Sequence, residues 1–144
     1  MAKNAELIDR RRVSSANIQQ LEENEIFVFG SNEAGIHEAG AARLAKEKFG
    51  AVDGEGLGLF GQSFAIPTKD KNIQTLSLRK IEKHVNHFIA VTHANPHLTF
   101  LVTEIGCGLA GYDVKNIAPI FADCIGYDNI YLPLSFWQYY LAYC

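Results

Sequence analysis

Two apolar runs, Glu25–Phe29 (EIFVF) and Leu98–Ile105 (LTFLVTEI), each lead directly into a glycine-rich loop, GSNEAGIHEAG and GCGLAG. Helical patterns alternate with these and with shorter strand-like runs. A chain that alternates in this way folds into a mostly parallel sheet with helices on both faces, and ligands of such sheets bind at the carboxyl ends of strands. Both glycine loops stand at such ends.

The remaining elements follow from local signals. Glu38–Phe49 reads as an alanine-rich helix closed by Gly50, and Gly50–Gln62 as a glycine-rich loop. Ser63–Pro67 reads as a short strand stopped by Pro67. Ser77 caps a helix whose Leu78, Ile81, Val85, Phe88 and Ile89 keep the spacing of one buried stripe. A further helix is expected within Asp113–Ile125, where Pro119 makes the first turn irregular or late. Asn129–Pro133 is the last strand. Residues 1–24 are polar, with a short helix expected around Ser15–Leu21 and a solvated arm at Arg10-Arg11-Arg12. The tail aromatics Phe136, Trp137, Tyr139, Tyr140 and Tyr143 either cover the sheet edge or form an oligomer contact.

With 144 residues, the chain is long enough for one domain with a core of its own. A net charge of −3 argues against broad electrostatic binding to nucleic acid. No apolar run reaches the length of a membrane span. The opening MAKNAELIDRRR lacks the apolar core of a secretory signal, and Cys107, Cys124 and Cys144 form no disulfide or CxxC pattern. A cytoplasmic protein is expected, with no cofactor and no metal.

Glycine permits positive φ and close approach of backbone to a ligand, and successive N–H groups in such turns make anion-binding concavities. No Lys or Arg lies between Gly30 and Gly40 or between Gly106 and Gly111, so a phosphate held here is held by main-chain amides. GCGLAG also fits GxGxxG, but too little chain follows Gly111 for a Rossmann site. Asn32 can offer donors and an acceptor to a vicinal diol, or bond its own loop backbone. His37 is the acid–base candidate of the loop, with a plain solvent-facing histidine as the alternative. Cys107 is either a nucleophile or a small buried filler. His84 and His87 read as a solvated helix face.

The combination of FVFGSNEAGIHEAGAA, a middle strand GQSFAIPTKD and TEIGCGLAGYD resembles the macro domain, the ADP-ribose-binding module. It is most similar to a phage and bacterial macro-like group. The resemblance covers about residues 26–125. It implies a three-layer α/β/α sandwich, macro-domain-like, with a mostly parallel central sheet, as a single domain over residues 1–144. It implies a ligand-binding set that starts at Gly30, Ser31 and Asn32, with Asn32 on the ribose distal to the adenine. Gly35, Ile36, Ala39 and Gly40 would line one side of the diphosphate. Gly106, Cys107, Gly108, Leu109, Ala110 and Gly111 would line the other, with Tyr112 packed against the distal ribose. The family's Gly-Asp-Ile segment, whose Asp reads adenine, has no counterpart here; Asp9 stands at a different spacing. His37 and Glu38 stand where the family favours small residues, and Glu38 is expected to point away from the phosphates. Three functions are expected to compete: a reader or sequestering protein for ADP-ribose, a hydrolase of ADP-ribosyl or phosphate bonds, and a binder of another nucleotide signal. The hydrolase, with water positioned by Asn32 or His37, needs His37 or Asp113 to reach the distal ribose.

Overall fold

The computed structural model describes residues 12–143. Arg10, Arg11, Asp9 and Cys144 lie outside them. Six strands form one sheet: β1 (Val13–Ser14), β2 (Glu25–Asn32), β3 (Gly58–Phe60), β4 (Ser63–Lys69), β5 (Thr99–Val102) and β6 (Ile130–Pro133). The order is β1-β6-β5-β2-β4-β3, and only the β3–β4 pair is antiparallel.

Alternate residues of the central strands enter two separate cores, as the two-residue strand period requires. Ile26 and Val28 of β2, Phe64 and Ile66 of β4, and Phe100 and Val102 of β5 face the larger core. There they meet α2 (Leu78–Ala94), a 3₁₀ segment (Ala118–Gly126) and α4 (Leu134–Tyr143). Phe27, Phe29, Ala65 and Leu101 face the smaller core, with Ala42 and Ala45 of α1 (Gly40–Lys48). The molecule is therefore an α/β sandwich with helices on both faces. Strands buried on both sides read as unbroken apolar runs, as EIFVF does. No described helix is long and apolar enough to cross a membrane.

The α2 helix starts at the expected cap: the Ser77 hydroxyl accepts from the Lys80 amide at 3.3 Å. Three element bounds differ from expectation: β2 runs on past Phe29 to Asn32, Gly58–Phe60 of the expected Gly50–Gln62 loop forms β3 against β4, and β5 keeps only Thr99–Val102 of Leu98–Ile105. Four further expectations are corrected. β4 runs through Pro67 to Lys69, because β3 pairs only with Ser63–Ala65 and leaves Pro67 without a neighbour on that side. Pro119 allows only a short α3 (Val114–Ile117) before the chain tightens into the 3₁₀ segment. Ser15–Leu21 is not helical; the chain forms β1 beside β6 instead. The tail is a helix whose Phe136, Trp137 and Tyr140 are buried in the larger core, so it covers a sheet face rather than an edge.

Arg12 is also corrected, since it is buried rather than solvated. Its guanidinium donates to the carbonyls of Cys124, Ile125 and Ile130 at 2.8–3.1 Å and lies 5.5 Å from the Trp137 ring centroid. The planar fork of donors joins the Cys124 and Ile125 carbonyls at the end of the 3₁₀ segment to the Ile130 carbonyl at the start of β6. Truncation should take this donor from Ile125 O and Ile130 O, while Cys124 O keeps the Tyr127 amide at 3.1 Å. Arg12→Ala is expected to lower stability by about 3 kcal/mol, read as a shift of the urea midpoint; an unshifted midpoint would remove Arg12 from the framework.

Candidate functional site

From β2 the chain passes to β4 and β3 on one side, then returns to β5 and β6 on the other. The order reverses between β2 and β5, and their loops leave toward opposite faces. A crevice forms at such a switch point. Here it is a cleft of about 460 Å³ that both glycine loops line.

The end of β2 contributes Gly30, Ser31 and Asn32, the loop after it Ile36, Glu38 and Ala39, the start of α1 Gly40, and the second glycine loop Gly106, Gly108, Leu109 and Ala110. Of the residues expected at the site, Gly35, His37, Cys107, Gly111 and Tyr112 do not line the cleft. Residues that sequence reasoning missed come from neighbouring elements. Thr68 and Lys69 end β4, Thr103 and Glu104 follow β5, and Ile73 lies in the turn after β4. A strand adjacent to β2 must bring its own carboxyl end to the same crevice; the signal was the strand order, which local pattern does not contain.

The first loop keeps its shape because a second glycine-rich stretch packs on it, backbone against backbone. A Cβ on Gly56 would stand 1.9 Å from the Asn32 carbonyl oxygen. A Cβ on Gly35, whose φ is +71°, would stand 2.3 Å from the Gly54 carbonyl carbon. Only glycine permits that approach. The Gly54 amide donates to Gly35 O at 2.9 Å, and the Ser31 hydroxyl donates to Gly56 O.

His37 belongs to this bracing. It is 1% exposed, with its ring edge-on to Phe29. Nε2 lies 3.1 Å from Val52 O and 3.2 Å from Glu55 O. Both are acceptors, so Nε2 carries the proton. Nδ1 is buried with no partner among the described residues. His37 is thus neither the solvent-facing histidine nor the acid–base group of the cleft, because residues 52–55 cover it.

Asn32 lines the cleft but closes its own loop. Its Nδ2 donates to Ile36 O at 2.8 Å, and its Oδ1 accepts from the Ile36 amide at 3.0 Å. One amide hydrogen and one lone pair remain for a ligand. Tyr112 packs against the larger core and donates to Leu76 O at 2.7 Å. The Asp113 amide donates to Asn116 Oδ1 at the start of α3, and Asp113 does not line the cleft.

The charged side chains in the lining are Lys69, Glu38 and Glu104. Glu38 is among the lining residues. One Glu104 oxygen accepts from the Ser135 hydroxyl at 2.6 Å. The available positive potential comes mainly from backbone. The first intrahelical bond of α1 is Arg43 N–H to Ala39 O, and the helix has no side-chain cap. The amides of Gly40, Ala41 and Ala42 therefore have no acceptor among the described residues. In the second loop, the amides of Gly108, Leu109 and Ala110 have no acceptor among the described residues. Two rows of free N–H groups in one cleft can hold an anion. A second cavity of about 250 Å³ shares Gly40, Ala41 and Thr103 with the cleft, and is also lined by Phe27, Ile18, Leu44 and Asn17.

Cys107 is half-buried, with Sγ 3.6 Å from Ile105 O. Burial, reinforced by Glu104 and Asp113, pushes its thiol up to about 11. The thiolate is the disfavoured form, so the group is a filler at neutral pH. Alkylation of Cys107, followed by peptide mass spectrometry, is expected to stay slow at pH 8 and to accelerate only as pH approaches about 11. Rapid modification at pH 7 would restore it as a nucleophile. No protein-family model, curated protein or solved structure matches the chain.

Proposed function

We propose that the cleft binds ADP-ribose or a related nucleotide diphosphate, as a reader or sequestering site of macro type. The observation that carries this reading is the convergence of two glycine loops on one cleft at the switch point, each presenting free amides. A diphosphate would lie between the N-terminus of α1 and the Gly108–Ala110 turn. Among the described residues Lys69 is the only cation in the lining, so backbone dipoles would carry most of the anion's stabilisation.

The neighbouring cavity extends the reading from an anion to a nucleotide. It opens beside the α1 N-terminus and is walled by Phe27, Ile18 and Leu44, with Asn17 and Ser15 as polar groups. An apolar slot with a few polar groups suits a planar base. Asn17 would take the place of the absent adenine-reading Asp through its amide N–H donors; its Oδ1 already accepts from Gln19 Nε2 at 2.6 Å and keeps one lone pair. The residual donor and acceptor of Asn32 suit one hydroxyl of the distal ribose.

Binding without chemistry is favoured over hydrolysis by the positions of the acid–base candidates. His37 is covered, Asp113 lies off the cleft and Cys107 is protonated at neutral pH. In the test, ADP-ribose at about a hundred times its dissociation constant stabilises the protein by about 2.7 kcal/mol. Gly108→Val is the matched variant. A Cβ there meets nothing within 4 Å, so the fold tolerates it, and Gly108 is part of the cleft lining. The wild type should melt several degrees higher with ADP-ribose, and Gly108→Val should keep its own melting temperature but lose most of that shift. No shift in the wild type across ADP-ribose, ADP and pyrophosphate would refute the proposal.

A further inference from the structure

Ile73 holds a conformation that β-branched residues rarely take. Its φ is 62°, the one positive value at a non-glycine residue among those described. The turn around it is closely determined. The Asp70 amide donates to Gln74 O at 2.8 Å, and the Ile73 amide to Asp70 O at 3.1 Å. The Asp70 carboxylate accepts from the amides of Asn72 and Gln74 at 2.8 and 3.0 Å. Lys69 and Thr75 form a bridge at the base of the turn. The Thr75 hydroxyl then donates to Ala110 O at 3.0 Å, fastening the turn to the second glycine loop.

Glycine or asparagine would occupy position 73 with little strain. Folding does not account for isoleucine, which belongs to neither core and is 40% exposed. It does line the cleft, together with Leu109, 74% exposed, and Ile36, 45% exposed. Three large aliphatic side chains from three loops thus stand exposed in the cleft that offers the free amides. Strain held by surrounding bonds, at a side chain displayed toward a cavity, is the pattern of a ligand contact. Leu109 and Ile36 sit on the two glycine loops, so the apolar surface is continuous with the anion-binding one.

We propose that Ile73 determines specificity: with Leu109 and Ile36 it forms an apolar lip against which the organic part of the ligand packs. The cleft then selects a diphosphate that carries a sugar over the bare anion. This rests on the nucleotide reading above and adds the element that distinguishes a nucleotide from inorganic pyrophosphate.

The test uses the full chain, with Ile73→Gly and Ile73→Asn, and titrates ADP-ribose and inorganic pyrophosphate by calorimetry beside a melting curve. Both variants should melt no lower than the wild type, since each relieves the turn. Their dissociation constant for ADP-ribose should rise about tenfold, while that for pyrophosphate stays within about twofold. Unchanged ADP-ribose affinity in both variants overturns the lip. So does a wild type that binds pyrophosphate as tightly as ADP-ribose, although the anion site would then stand. Variants that both melt several degrees lower would assign Ile73 to folding instead. A wild type that binds neither probe removes the nucleotide reading and the lip together.

Discussion

The arrangement of the cleft depends on one close contact, that of the 54–56 backbone against the loop leaving β2. Gly56 lies so near the Asn32 carbonyl, and Gly35 so near Gly54, that no side chain fits between the two stretches. The contact does what a helix or strand partner does elsewhere: it gives irregular backbone a surface to lie on. Ser31 donates into it, His37 is sealed beneath it, and Lys46 on α1 pairs with Asp53 at 2.6 Å across it. That ion pair is exposed and adds little by itself. The backbone contact fixes where β2 ends and α1 begins. The uncapped amides of α1 consequently meet those of the second loop in one crevice.

The electrostatics follow from the same arrangement. A site built from arginine and lysine would attract any polyanion and would make the chain basic. This chain is acidic, and its cleft lining contains one lysine and two glutamates. Free N–H groups act over short range and in fixed directions, so they favour an anion of the right shape held close. On the proposed reading, the exposed Ile36, Ile73 and Leu109 beside them would suit a ligand with both a charged and an apolar part. The polar side chains nearest the loops are largely engaged: Thr68 donates to Ser31 O, Thr103 to Val28 O, and Asn32 to Ile36 O. On the proposed reading, loops held by such bonds in advance would lower the ordering cost of binding.

Much of this was legible in the sequence, for reasons that differ by element. β2 and β5 were readable because strands buried on both faces are apolar throughout, and α2 because Ser77 and a regular apolar stripe mark it locally. The glycine loops were visible as motifs, and their position at strand ends followed from alternation alone. What could not be read depends on partners distant in the chain. Arg12 looked solvated because the carbonyls it serves lie 112 to 118 residues away. His37 looked available because the residues that cover it lie 15 to 18 positions later and have no distinctive pattern. β1 has two residues and exists only because β6 offers an open edge. Pro67 looked like a strand stop, and would be one if β3 were longer. Ile73 carries no signal of its left-handed backbone, since isoleucine is among the residues least expected there.

The central claim is that main-chain amides, and not side-chain cations, receive the phosphates. Amide proton and nitrogen shifts followed by NMR during titration with ADP-ribose test it most directly, because a hydrogen bond to phosphate moves the donor's own resonance. The account predicts that the largest changes fall on Gly40–Ala42 and Gly108–Ala110 together, at one saturation curve. Changes confined to one loop, or centred on lysine-bearing surfaces away from both, would contradict it.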